Sequence, residues 1–177
     1  MSSRELAGEF WVDLRTRPFM RAQLGLGIAL AEKDQLAKAV PHFQELLALD
    51  PDDHLDVRSL LLPALLELER DLDAAKLLKT SDKDTATWAY GRALLAFRLS
   101  GNSEAARREL RRAFENNSYV AEILVRKNQQ RSSALGATGS LDEAVDCSER
   151  LRYAYAKTDG ALPWLAEEEE RWCAQQS

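Results

Sequence analysis

Two histidines, two cysteines, a knot of aspartates and a double pair of arginines are the residues of this chain whose types and spacing could do chemistry. His42 sits between Pro41 and Phe43, and His54 ends the run Asp50-Pro51-Asp52-Asp53. Neither has a Ser, Cys or Asp arranged beside it as a nucleophile and base. Cys147 and Cys173 lie 26 residues apart with no CxxC spacing, and two histidines do not complete a zinc set with them. Asp50, Asp52, Asp53 and Asp56 could attract a cation, but the run lacks the glycine and distal glutamate of a calcium loop. Carboxylates capping the next helix are the plainer reading. No motif with a mechanism appears, so we expect no catalytic residue, no metal, no cofactor and no enzymatic activity.

The arginines are a separate matter. Arg107-Arg108 and Arg111-Arg112 recur four residues apart and form one basic stripe, followed by Arg126, Lys127 and Arg131. Over 104–131 there are seven basic and four acidic residues. Such a stripe could hold nucleic acid. It could equally be a solvated helix face on which Glu104 and Glu109 pair with the arginines. The net charge of −5 over 177 residues argues for the second. The opening Met1-Ser2-Ser3-Arg4-Glu5-Leu6 has no apolar signal segment, and no run approaches 18 apolar residues. A reduced, cytoplasmic protein without a membrane span is expected.

The elements that position these residues are helical. Ala, Leu, Glu and Arg dominate while Gly (8) and Pro (5) are few. Pro18 suits a first helical turn, and Met20, Leu24, Ile28 and Ala31 then recur at helical spacing up to the polar break Lys33-Asp34-Gln35. A second helix turns Leu36, Ala39, Val40, Phe43, Leu46 and Leu47 inward and stops before Pro51. Helix pairs recur: 57–69 with 72–78, then 87–99 with 103–114, where Gly101-Asn102 breaks the chain and Ser103 caps. Ser140 with Glu143 reads as a capping box that starts a helix running to about Ala156. Small residues near the start of the second helices, Ala39, Ala75, Ala106 and Ala144, are 36, 31 and 38 residues apart. That period, built from two helices, is the signature of an α-solenoid, whose pairs must stack to bury both apolar faces.

The first unit resembles a tetratricopeptide repeat: Leu26-Gly27, Leu30, Ala39, Phe43 and Pro51 fall at the family's spacings, while Gln23 departs where the family has Trp. Leu62, Leu66 and Ala75 carry the likeness into a second unit, and Tyr90, Phe97, Ala106, Leu110 and Ala113 into a third. A narrower resemblance joins Phe10-Trp11, residues 16–22, 57–62, 88–98 and 160–165 to a bacterial tetratricopeptide group related to the repeat region of suppressor-of-tumorigenicity-7-type proteins. The resemblance implies an all-α, tetratricopeptide-like solenoid of antiparallel helix pairs that acts by interaction, not by chemistry. The expected divisions of a single domain over 1–177 are an N-terminal helix (3–15), repeats at 18–53, 54–84 and 85–118, a degenerate repeat at 119–158 with a loop at 128–140, and a capping helix at 160–175.

In such an array the first helices line a concave groove for a peptide or partner protein. The groove positions expected here are Arg21, Leu24, Ile28, Glu32, Leu60, Ala64, Glu67, Trp88, Arg92, Leu95 and Arg98. Trp88 and Tyr90 are also good candidates for buried core, and the arginines for pairing with carboxylates. Leu6, Phe10, Trp11 and Leu14 either cap the first repeat or form a self-association surface. Glu167 to Glu170 reads as the wet side of the terminal helix, with Trp164, Leu165 and Trp172 as its apolar side. The sequence thus predicts a non-catalytic protein-interaction scaffold, with a nucleic-acid-binding accessory protein using the 107–112 stripe as the alternative.

Overall fold

The computed structural model describes residues 11–80, 85–126 and 137–176, and among them it is all α: nine helices and no strand. The chain divides into two compact units, Met1–Leu68 and Glu69–Ser177. The division falls inside the segment 54–84 that the sequence reads as one repeat. Its first helix packs back on the preceding one, its second packs forward on the next, and Glu69 between them has a left-handed backbone (φ 56°).

The first unit holds α1 (Arg17–Glu32), α2 (Leu36–Leu49) and α3 (Arg58–Glu67). Helices α1 and α2 are antiparallel: Gln23 donates to Glu45, and Gly27 faces Phe43. Met20, Ala39, Val40, Phe43 and Leu46 fill the interface and are fully buried. Gly27 is what lets the helices approach, because a Cβ there would lie 2.6 Å from the Phe43 ring. A Gly27→Leu variant is expected to lose about 1–3 kcal/mol by overpacking, read as a lower denaturant midpoint at unchanged m-value. The aspartate knot serves the start of α3. Asp53 accepts from the Val57 and Arg58 amides at 2.6 and 3.2 Å, and Asp50 accepts from the amide of His54 and meets its ring.

The expected N-terminal helix at 3–15 is corrected over its described part. Residues 11–15 are turns, held by Thr16 donating to the Asp13 carbonyl. Pro18 explains the start of α1, since it has no N–H to bond Leu14 and its ring would strike that carbonyl. Residues 3–10, with Leu6 and Phe10, lie outside the described residues. Trp11 stacks on His54 with ring centroids 4.9 Å apart and carries the Arg17 guanidinium over its face.

The second unit holds α4 (Asp71–Leu78), α5 (Ala86–Ser100), α6 (Glu104–Asn117), α7 (Tyr119–Arg126), α8 (Leu141–Lys157) and α9 (Ala161–Gln176). Thr85, Ser103 and Ser140 cap α5, α6 and α8 through side-chain oxygens. Helix α4 runs antiparallel to α5, with Arg98 on Asp71 at one end and Arg92 on the Leu78 carbonyl at the other. Helices α5 and α6 form an antiparallel hairpin, in which Tyr90 donates to the Asn117 carbonyl and Ser100 meets Ser103. In α4 the fully buried alanine is Ala74, one place before the expected Ala75, whereas Ala39, Ala106 and Ala144 are fully buried as read.

Side-chain pairing sets α8 and α9 against that hairpin. Glu143 and Tyr155 of α8 bond Ala86 and Tyr90 of α5, and Arg98 bonds Thr158 and Ala154 near the other end. Likewise Trp164, Glu168 and Trp172 of α9 meet Asn102, Arg107 and Phe114, all at or on α6. Both alignments are parallel. Helix α8 thus lies alongside α5 and α9 alongside α6, and α7 packs on α8 and α9. The sequence likewise sets 119–126 against α8, on which α7 packs, and it leaves α9 as a cap. The expected loop 128–140 lies outside the described residues up to 136, and 137–140 turns into α8.

Candidate partner-binding cleft

Two helix faces with the same spacing meet where α9 runs beside α6. Arg107, Leu110, Arg111 and Phe114 lie at i, i+3, i+4 and i+7 on α6; Glu168, Arg171, Trp172 and Gln175 do so on α9. Between them lies a cleft of about 300 Å³. Leu110 and Phe114 are buried in its floor, and the ring of the half-buried Trp172 stands 5.6 Å from that of Phe114. The upper lining is charged. Arg107 bonds Asn102 and lies 3.5 Å from Glu168, Arg111 bonds Glu104 at 2.5 Å, and Arg171 pairs with Glu168 and Glu167. The hydrogen bond from Arg111 holds the Glu104 carboxyl below the usual glutamate range. Glu104 remains 71% exposed, so its hold on Arg111 is a surface pair.

Glu168 corrects the reading of 167–170 as a wet face, since it is buried and held between guanidiniums of two helices. Glu169 is partly buried, and desolvation raises its carboxyl above the usual range. The basic stripe is largely neutralised at close range: Arg111 by Glu104, Arg112 by Glu109, Arg107 by Glu168 and Arg126 by Glu122. Lys127 and Arg131 lie outside the described residues.

The expected groove positions divide between the units. On α1, Arg21 and Glu32 are exposed and Leu24 and Ile28 half-buried; on α3, Leu60 and Glu67 are half-buried and Ala64 buried. In the second unit Trp88 is 1% exposed and Leu95 is buried with it. Arg92 donates to the Leu78 carbonyl, and the Arg98 side chain, 8% exposed, bridges Asp71, Thr158 and the Ala154 carbonyl. Trp88, Leu95, Ala64 and Arg98 are thus corrected from partner contacts to interior. The reason for Trp88, Leu95 and Arg98 is that α5 has neighbours in α4, α6 and α8, leaving them no open side.

The chemistry-bearing residues are dispersed. Cys147 is buried, and burial pushes its thiol well above the usual range, which leaves it mostly protonated at neutral pH. Cys173 is exposed, His54 is stacked on Trp11, and His42 is half-buried. Among the described residues no group of three His, Cys, Asp or Glu is placed to hold a metal, and no helix is long and apolar enough to cross a membrane. No family model, no curated protein and no solved structure matches the chain.

In the sequence α9 looks like a cap and α6 like a solvated face, so the cleft is not legible there. The shared spacing of 107, 110, 111, 114 and 168, 171, 172, 175 was visible, but not that the two faces meet.

Proposed function

We propose that this chain is a non-catalytic, cytoplasmic helical-repeat scaffold of tetratricopeptide-like build, and that it binds a partner protein or peptide. The observation that carries the reading is the α6–α9 cleft, which combines exposed guanidiniums with a half-buried tryptophan over an apolar floor. Arginine and tryptophan are the residues most enriched among those that dominate interface energies. The parallel setting of α8–α9 on α5–α6 supports a solenoid step, with α7 inserted between the pairs. The carboxylates of Glu104, Glu109 and Glu168 set among Arg107, Arg111 and Arg112 leave the stripe little net positive charge, which weakens the nucleic-acid alternative.

Affinity capture followed by mass spectrometry tests the reading, using the wild type beside Arg111→Ala/Trp172→Ala. A protein retained by the wild type and lost by the double variant is expected. A salt titration of generic RNA and DNA in parallel is expected to show no affinity at low ionic strength. Salt-dependent nucleic-acid binding, or partners indifferent to the double variant, speaks against the scaffold reading at this cleft.

A further inference from the structure

The cleft's charge, size and floor together select among partners. Its lining carries three guanidiniums, Arg107, Arg111 and Arg171, against two carboxylates, Glu104 and Glu168, in a chain whose net charge is −5. The two carboxylates are not equivalent. Glu168 is buried between Arg107 and Arg171 and belongs to the packing of α9 on α6. Glu104 lies at the first turn of α6, is 71% exposed, and reaches Arg111 seven residues on. An exposed pair of this kind is worth little, so Glu104 can return to water at small cost. At about 300 Å³ the cleft is large enough to admit side chains of a partner.

Resting on the scaffold reading, we propose that the cleft takes an acidic segment of a partner protein, one carboxylate of which displaces Glu104 from Arg111 while a neighbouring apolar side chain lies on Trp172. The guanidinium fork of Arg111 offers a carboxylate two parallel hydrogen bonds. Trp172 still has surface to cover, and Phe114 and Leu110 beneath it supply a rigid floor. A basic segment meets three guanidiniums only partly offset by Glu104 and Glu168 and is disfavoured, which makes the site selective by repulsion as well as by attraction. Glu104 is then a built-in competitor: it occupies Arg111 when no partner is present and sets the affinity.

Three twelve-residue peptides test this, sharing the same Leu and Phe positions and differing only in carrying Glu/Asp, Gln/Asn or Lys between them. A twelve-nucleotide oligouridine is the fourth probe. The readout is the indole N–H resonance of Trp172 in the full chain, assigned by its loss in Trp172→Phe. The acidic peptide is expected to move that resonance with at least tenfold higher affinity than the neutral one, and the basic peptide to leave it unmoved. Arg111→Ala is expected to weaken the acidic peptide about tenfold, and Glu104→Gln to strengthen it about threefold, both with unchanged melting. Equal binding of neutral and acidic peptides, or Glu104→Gln without effect, overturns the inference but leaves the cleft as a protein-binding site. Absence of any Trp172 shift up to millimolar acidic peptide also overturns it, and the scaffold reading then rests on the capture experiment alone. A shift produced by oligouridine and by no peptide overturns both.

Discussion

Replacing Glu143 with alanine is expected to destabilise the second unit by about 2–4 kcal/mol, since hydrogen bonds to a charged group contribute about 1.5–3 kcal/mol each and are not additive. The Glu143 carboxylate accepts from the Ala86 amide at 3.0 Å, the Asn117 amide group at 3.0 Å and the Gly139 amide at 2.7 Å. It thereby ties the start of α5, the end of α6 and the turn before α8 to one point. Asn117 is buried and reaches onward to the Ser140 carbonyl, while its own carbonyl accepts from Tyr90. Removing the carboxylate leaves donors at several element ends without their acceptor, and two of those ends are where helix backbones most need partners. Denaturant unfolding is the measurement, followed by the fluorescence of Trp88 and Trp164, which are buried in this unit. Glu143→Gln keeps acceptor oxygen but loses the charge, and is expected to cost about half as much. A double cycle with Asn117→Ala should show a coupling of about 0.5–3 kcal/mol.

The second large effect is at Arg98. Its guanidinium pairs with Asp71 at 2.8 Å, donates to Thr158 at 2.8 Å and reaches the Ala154 carbonyl at 3.2 Å. One side chain therefore joins α4, α5 and the end of α8. Truncating one member of a buried ion pair costs about 3–5 kcal/mol because the other charge is left unpaired; Asp71 is partly solvated, so about 2–4 kcal/mol is expected for Arg98→Ala. Arg98→Met, which keeps the packing and removes the charge, should recover part of that in the same unfolding experiment. The groove assignment implies a different outcome, loss of a partner when Arg92 and Arg98 are replaced.

These two residues mark the limit of what the sequence could say. The helical class, the helix pairs and several caps were legible because they are local: a 3.6-residue period, a serine before a helix, a proline or glycine after one. Ser140 is an instructive case. It accepts the Glu143 amide as a capping box requires, but the Glu143 side chain reaches Gly139 and crosses to α5 instead of closing on Ser140. The local half of the motif was readable; the long-range half depends on what α8 packs against. The same holds for Trp88 and Arg98, whose helical phase was read correctly but whose open side is filled by α4 and α8. For α9 the apolar residues were recognised and their neighbour was not. Trp172 therefore read as the underside of a cap, when it lines a cleft shared with the arginine stripe.

The most direct test of the account places a photo-cross-linking amino acid at position 172 in the cleft and, separately, at the exposed Tyr153 on α8, in otherwise intact chains. The account predicts a covalent adduct with a protein partner from position 172, competed by the acidic peptide, and none from position 153. Adducts from 153 alone, or from both positions equally and without competition, would contradict it.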